Sequence, residues 1–320
     1  MTIHRLPSPH GAASPHALQR PARSNGAGHA TIPWPLRLQR WRYALLGRVL
    51  PDRIARQAAA QFYTVRRAKI GPAERAFLDA GKKLSLDFRG TRLRGWHWGA
   101  SGPDAPQILL QHGWEGHAGQ FHALASVLEA QGFGVVAFDA PGHGLSPDGE
   151  ANVTIMAQML GAIARAYGPF AAAIGHSMGG ASVGIAVQRG LAVERAVHIA
   201  APASLRRALR RFAAFMTLPP TATARLVAIL GAKVDRPLGE LDFERAASPP
   251  TLPLLLLHDP ADREVPASEA SLVAGHWPGA ALRHVSGAGH RRILADARSL
   301  ALIGDFLSAL RCDWAHSKVS

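Results

Sequence analysis

Apolar and polar positions along most of the chain alternate between short apolar runs and longer amphipathic stretches. The run Leu254–Leu257 is apolar throughout, as strands buried on both faces of a parallel sheet are. The intervening stretches repeat apolar residues at helical spacing, so the pattern predicts an α/β protein with a mostly parallel sheet covered by helices on both faces. The predicted strands are two short ones within Lys83–Trp98, then Gln107–Leu110, Val135–Phe138, Ala171–Ile174, Ala196–Ile199, Leu254–Leu257 and Leu282–Val285.

Changes in composition divide the chain into parts. The first stretch is rich in Pro, Gly, Ser, Ala and His and lacks apolar periodicity, which is typical of a flexible segment. Helical patterns at Leu205–Phe215 and Ala222–Leu230 interrupt the alternation where a plain sheet needs only a crossover. The predicted parts are a flexible tail (1–33), a helical extension (34–80), an α/β core (81–202 and 251–312) and a helical cap (203–250).

The extension carries apolar residues at helical spacing from Trp34 to about Arg67, with arginines between them; examples are Leu38, Trp41, Leu45 and Val49. A helix packed against the catalytic body has such a stripe, and this is the interpretation we favour. Basic amphipathic helices with tryptophan also bind membrane surfaces, so weak membrane contact through residues 34–67 is the alternative.

The formal net charge is +14, and much of it comes from arginines that precede the first acidic residue, Asp52. No zinc-finger spacing, RNA-binding aromatic signature or dense basic run accompanies it, so we expect no nucleic-acid partner. Cys312 is the single cysteine, which excludes an intramolecular disulfide and fits a reducing compartment. The sequence has no good secretory signal and no long apolar run, and its arginine-containing, acid-free start could imitate an organellar transit peptide. The heavy use of Arg over Lys and of Ala and Gly favours genome base composition as the cause, so we expect a cytoplasmic, bacterial protein.

The sharpest chemical signal is Gly175-His176-Ser177-Met178-Gly179, placed between an apolar strand and a helix. The small residues two positions before and two positions after the serine permit a sharp strand-to-helix turn that exposes its hydroxyl. A serine hydroxyl needs a base to accept its proton, and His290 follows the last predicted strand within a glycine-rich segment. Ser177 is therefore the predicted nucleophile and His290 the predicted base.

Two carboxylates, Asp259 and Asp262, follow the strand Leu254–Leu257 and could orient the histidine. Pro260 biases Asp259 toward extended backbone near the strand end, whereas Asp262 lies beyond the turn. We therefore predict Asp262 as the orienting group. The backbone amides of Met178 and Trp114, the latter in a glycine-containing loop after its strand, are predicted to bind the developing oxyanion.

These blocks, together with Asp139-Ala140-Pro141-Gly142-His143-Gly144-Leu145-Ser146, resemble the α/β-hydrolase superfamily from about Lys82 to Leu310. The resemblance implies an eight-stranded core, the triad Ser177, Asp262 and His290, and the oxyanion amides of Trp114 and Met178. Many relatives have glycine at the position of Asp259, so the choice of carboxylate stays open.

Serine at this turn excludes the ring-opening and dehalogenating relatives, which use aspartate there. The sequence thus predicts a carboxylic-ester hydrolase with a small-molecule ester or acyl substrate, and no cofactor or metal is expected. Alternatives are a thioesterase or amidase of the same mechanism, a peripheral membrane lipid hydrolase, and a non-catalytic binding protein with this fold.

The apolar residues of the cap predict a pocket for an apolar acyl group, and the arginines of the cap are expected on its solvated face. The predicted pocket residues are His112, His176, Phe212, Phe215 and Met216.

Overall fold

The computed structural model describes residues 32–102, 105–243 and 250–316, with side chains described up to residue 310. Residues 1–31 of the predicted tail and residues 244–249 of the predicted cap lie outside this range. The strands are β1 (Lys82–Phe88), β2 (Thr91–Gly99), β3 (Gln107–Gln111), β4 (Gly134–Phe138), β5 (Ala172–His176), β6 (Arg195–Ile199), β7 (Leu254–His258) and β8 (Ala280–His284). The helices are α1 (Trp34–Val49), α2 (Pro51–Tyr63), α3 (Pro72–Ala80), α4 (His122–Ala130), α5 (Val153–Tyr167), α6 (Met178–Gln188), α7 (Leu205–Phe215), α8 (Pro220–Gly231), α9 (Ser268–His276), α10 (Gly289–Arg292) and α11 (Ala297–His316). Short 3₁₀ turns lie at Ala118–Phe121 and Leu238–Leu241.

The eight strands form one sheet in the order β1-β2-β4-β3-β5-β6-β7-β8. Strands β3 to β8 pair in parallel, whereas β2 pairs antiparallel with both β1 and β4. The chain steps from β3 outward to β4 and then returns to β5 on the other side, which creates a switch in winding direction. Ligands of open α/β sheets bind at such a switch, outside the carboxyl ends of the strands.

Successive residues of the central strands point to opposite faces, so the sheet separates two apolar clusters. Leu109 and Ala173 join helices α5, α6 and α9 on one face, and Leu110 and Ile174 join helices α3, α4 and α11 on the other. The predicted architecture of a helix-covered, mostly parallel sheet is confirmed.

The last strand differs from its sequence prediction. Its apolar residues suggest Leu282–Val285, but β8 begins at Ala280 and ends at His284. A left-handed turn at Gly279 (φ 80°) brings Ala280 directly beside Leu254, so pairing with β7 starts two residues before the apolar run. As an edge strand, β8 is defined by its backbone partners more than by burial.

The extension is not one helix, because it breaks at Leu50, which is non-helical (φ −129°, ψ 54°) and precedes Pro51. A residue before proline is disfavoured in the helical region. Helices α1 and α2 then pack against α7 and α8 around a third apolar cluster that includes Tyr43, Ile54 and Leu226. Two helices of the extension and two of the cap thus form one helical layer, defined here as helices α1, α2, α7 and α8.

The arginines of α7 contradict the expectation of a purely solvated face. Arg206 pairs with Asp242, and the Nη1 atom of Arg211 lies 2.5 Å from the Oε1 atom of Glu269. Arg207 binds the same Glu269 oxygen at 3.1 Å, and both carboxylates are buried. Because buried carboxylates require partners, these arginines connect α7 to α9 and to the segment that carries Asp242. Among the helices described, none is long and apolar enough to cross a membrane.

Candidate active site

Ser177 lies in the tight turn between β5 and α6, with φ 53° and ψ −123°. Its backbone N–H donates to the carbonyl of Ile199 at 2.8 Å, which fixes the turn to the neighbouring strand. A Cβ atom at Gly175 would come within 2.3 Å of the Gly179 carbonyl oxygen, and one at Gly179 within 2.3 Å of the Gln111 carbonyl oxygen. Only glycine fits at both positions, which explains the spacing of the motif.

His290 lies on the short helix α10 and its ring bridges two side chains. The Nε2 atom is 3.0 Å from the Ser177 Oγ atom, and the Nδ1 atom is 2.7 Å from the Asp262 Oδ2 atom. With Nδ1 as donor to the carboxylate, Nε2 is the free acceptor for the serine hydroxyl proton. The structure therefore brings together the serine, histidine and aspartate that the sequence analysis selected.

Asp262 is held by several donors besides His290. Its Oδ1 atom accepts from the backbone amides of Glu264 (2.7 Å) and Val265 (3.0 Å). Burial alone would raise the pKa of Asp262, but the hydrogen bonds from His258, His290 and the Val265 amide outweigh it and hold the pKa well below its usual range. The carboxylate is thus ionised at any pH near neutrality.

Asp259 has a different position from Asp262. Its Oδ1 atom accepts from the amide of Ala261 at 2.9 Å, and its Oδ2 atom accepts from the amide of Gly289 at 2.5 Å. Gly289 directly precedes His290, so Asp259 ties the loop after β7 to the loop that carries the histidine. Asp262 thus contacts the ring of His290, and Asp259 contacts the backbone beside it.

The loop after β3 is fixed by His112, which the sequence analysis expected in the pocket. The ring is buried; Nε2 accepts from the Ala140 amide at 3.0 Å, and Nδ1 donates to the Gly113 carbonyl at 2.7 Å. Burial lowers the pKa of His112 well below its usual range, which agrees with this neutral tautomer. His112 does not line the cavity beside Ser177 and instead sets the path of the backbone that leads to Trp114.

Asp139 joins the two loops that border this region. Its carboxylate accepts from the amides of Ala118 (2.7 Å) and Leu145 (2.6 Å). Burial raises the pKa of Asp139 to about 6, even though both amides act in the opposite direction. Asp139 therefore holds the two loops together and does not line the cavity beside Ser177.

A cavity of about 340 Å³ opens beside Ser177 and His290. Trp114 and His176 contribute to its wall, and its rim carries charged side chains from Glu264 and from the segment after His290. The His176 Nε2 atom donates to the His290 carbonyl at 2.8 Å, and burial lowers the pKa of His176 to about 3. His176 is thus a neutral wall residue that also supports the backbone of the histidine loop.

The three predicted cap residues lie elsewhere, around a second cavity of about 560 Å³ between the extension and the cap. Phe212, Phe215 and Met216 line it. Met216 also belongs to the buried apolar cluster of the helical layer. Trp114 and Glu115 belong to the walls of both cavities. The five residues expected in one pocket are therefore divided among a loop, a first cavity and a second cavity.

Three side chains near the site were not identified from the sequence. His258 is fully buried; its Nε2 donates to the Val265 carbonyl at 2.8 Å and lies 3.5 Å from the Asp262 Oδ2 atom. Phe62 of α2 stacks on Trp114 with ring centroids 6.4 Å apart, and Glu264 lies 3.9 Å from the His290 Nε2 atom. A histidine that ends a four-leucine strand was a visible signal for His258, whereas nothing local marked Phe62.

The elbow, the hydrogen-bonded side chains and the sheet order occur together in one family of proteins. A family model described as alpha/beta hydrolase fold matches residues 106–217, which contain β3, the elbow and α7. The chain has the α/β-hydrolase fold. Ser177 lies at the strand-to-helix elbow that is typical of this fold.

Solved structures agree with this fold. An esterase from Pyrococcus furiosus superposes with a TM-score of 0.57 at 17% identity, covering 77% of this chain and 97% of the esterase. The thioesterase domain from the curacin biosynthetic pathway gives 0.52 at 18% identity, covering 71% and 99% of the two chains. A bacterial membrane phospholipase A gives 0.57 at 18% identity, covering 83% and 98%. No curated protein matches the sequence. The family model and these neighbours agree on the fold.

Proposed function

We propose that this hydrolase cleaves carboxylic esters through an acyl-enzyme on Ser177. The observation that carries the proposal is the continuous hydrogen-bonded chain from the Ser177 Oγ atom through His290 to Asp262. A serine hydroxyl is a poor nucleophile unless a neighbouring base accepts its proton. Here the base, its orienting carboxylate and an adjacent cavity stand in the arrangement that acyl transfer needs.

In the first half of the reaction, the Ser177 oxygen attacks the ester carbonyl carbon while His290 Nε2 accepts the serine proton. Met178 begins α6, so its amide has no acceptor within the helix, and it would bind the oxyanion together with the Trp114 amide. The carbon–oxygen bond to the alcohol then breaks, and His290 returns the proton to the departing alcohol. In the second half, water attacks the acyl-serine by the same route and releases the acid.

Asp262 supports both halves. Its depressed pKa keeps it negative, so it stabilises the imidazolium that forms when His290 takes the proton. The buried, neutral His176 lies beside this ring, with centroids 4.9 Å apart, and adds no competing positive charge. The electrostatic field at His290 therefore favours proton transfer from the serine.

The second cavity is the proposed site of an apolar acyl group. Phe62 contacts Phe212 edge-on with centroids 5.0 Å apart, and the stack of Phe62 on Trp114 leads to the wall of the first cavity. An acyl chain beyond Trp114 would meet this aromatic surface. This location supports esters with an extended apolar acyl group as substrates.

Covalent labelling tests the nucleophile. Wild-type protein should react with a fluorophosphonate at Ser177, and Ser177→Ala should lose both labelling and ester hydrolysis. Ser182→Ala is the matched control: Ser182 lies on the same helix, but its hydroxyl donates to the Met178 carbonyl at 2.8 Å and has no histidine as base. Labelling of Ser177→Ala at the wild-type rate, by intact mass, would contradict the proposal.

A substrate panel tests the ester assignment. One acyl group presented as an oxygen ester, a thioester and an amide separates the ester hydrolase from its thioesterase and amidase alternatives. We expect the highest kcat/KM for the oxygen ester. A wild-type protein that is labelled at Ser177 but turns over none of the three would instead favour a non-catalytic binding protein.

A further inference from the structure

Helix α1 exposes an apolar stripe, of which only Trp34 and Leu38 also border a cavity shared with α2. Exposed fractions reach 73% for Trp34, 63% for Trp41 and 72% for Val49, and Leu38 and Leu45 are each about half exposed. Residues three and four positions apart share one face of a helix, so these five side chains form a single line. A contiguous exposed apolar surface of this kind is typical of an interaction site.

The opposite face of α1 accounts for its attachment to the protein. Tyr43 and Gly47 are buried, and a Cβ atom on Gly47 would lie 2.7 Å from the Pro219 ring of the cap. Helix α1 is thus held by one face while the exposed line points away from the protein. Packing against the body and binding to an external surface, posed as alternatives by the sequence, are compatible.

Charges around the line indicate its partner. At about 100° per residue, Arg42 falls on one side of the line and Arg37 and Arg48 on the other. All three are exposed, and α1 contains no acidic residue. Tryptophans in an apolar line between arginines match the boundary of an anionic bilayer, with rings at the headgroup level and guanidinium groups on phosphates.

We propose that α1 docks this hydrolase on the surface of an anionic membrane, with Trp34, Leu38, Trp41, Leu45 and Val49 inserted and Arg37, Arg42 and Arg48 on the headgroups. The charge pattern distinguishes this partner from a second copy of the chain, whose matching helix would bring the same arginines together. Docking also brings the second cavity close to lipid, since Pro35 and Leu36 of α1 line it. That last consequence, a supply of lipid esters, rests on the proposed function; the docking does not.

Vesicle co-sedimentation tests the docking with the full-length protein. Vesicles of phosphatidylcholine with phosphatidylglycerol should bind it, vesicles of phosphatidylcholine alone should bind it far less, and added salt should weaken the anionic case. Trp34→Ser/Trp41→Ser should reduce binding about tenfold or more. Arg37→Glu/Arg42→Glu should reduce it about 25-fold or more, taking about fivefold for each arginine.

The matched control is Arg165→Glu/Arg283→Glu, which makes the same charge change at exposed positions on α5 and β8 and should bind nearly as wild type. Ser177→Ala should also bind as wild type, so a failed ester assignment would leave the docking result unaffected. Absence of binding to anionic vesicles would overturn the proposal. So would a dimer, seen by size exclusion with light scattering, that the tryptophan variant converts to a monomer without any vesicle binding.

Discussion

The α/β body and the helical layer above it are held together by different means. In the body, the site depends on polar contacts such as the 2.5 Å bond between Asp259 and the Gly289 amide. In the layer, α2 and α8 meet through small apolar residues such as Ala55, Ala58 and Ala222, each at most 1% exposed. The candidate site therefore lies in the part held by directional hydrogen bonds, and the second cavity lies beside the part held by apolar packing.

The boundary between the two regions is polar where α7 meets α9 and aromatic where α2 meets the site. Glu269 of α9 accepts from two arginines of α7, which attaches the layer at one end. At the other end Phe62 lies against Trp114, a residue that lines both cavities.

The largest effect is expected within the body, at Asp262. Asp262→Asn should lower kcat by about four orders of magnitude, because an amide stabilises neither the required tautomer nor the imidazolium. Asp259→Asn should cost far less, since Asp259 contacts backbone and not the ring. The measurement is the turnover of both variants, with folding checked by thermal melting. A larger loss of activity in Asp259→Asn would assign the orienting role to Asp259 instead of Asp262.

The next effect concerns the layer. Leu226 is fully buried between extension and cap, so Leu226→Ala should reduce the free energy of unfolding by about 2–5 kcal/mol. Turnover of an acetyl ester by the remaining folded protein should stay near wild type. Denaturant melts and steady-state kinetics at low temperature measure the two quantities. Loss of turnover in the folded variant would show that the layer also shapes the catalytic geometry.

A smaller effect is expected where the layer meets the substrate. Phe212→Ala should lower kcat/KM about tenfold for long-chain acyl esters and little for acetyl esters, because only the longer chain reaches the aromatic surface. Phe306→Ala is the control, as Phe306 stacks on Arg195 at the other face of the sheet. Equal losses at every chain length would argue against an acyl site in the second cavity.

The smallest effect is a change in pH dependence at Asp139. Its pKa rises from an ordinary value of 3.8 to about 6 on folding, so the folded state holds this proton more tightly than the unfolded chain. The stabilisation is complete below about pH 4 and is lost as pH rises through about 6. Asp139→Asn should flatten the wild-type decline in melting temperature across that interval. An unchanged slope would mean that Asp139 ionises normally.

The sequence predicted what depends on local rules. The elbow around Ser177 needs glycine at two fixed positions, so its steric requirement is visible within five consecutive residues of the sequence. The alternating apolar runs similarly predicted the sheet. The break of the extension was also readable, since Pro51 disfavours helix at Leu50, but the stripe of apolar residues was interpreted as continuous.

Contacts between distant segments were not predictable in the same way. The pairing of the α7 arginines with Asp242 and Glu269 joins residues 36 to 62 positions apart, and no periodicity encodes such distances. His112 was expected in a pocket, yet its ring turns inward to two backbone groups. The roles of the triad and of the two oxyanion amides remain predictions that kinetics must test.

The backbone of Ser177 also bears on how this protein can evolve. A φ of 53° with ψ of −123° is a conformation that glycine adopts freely and serine only under strain, at a cost of about 1–3 kcal/mol. Ser177→Gly would release that strain. The greater conformational entropy of glycine in the unfolded chain would lower the free energy of unfolding by less than about 1 kcal/mol. The glycine variant would therefore be more stable than the wild type, and under the proposed function selection for turnover is what keeps the serine in place.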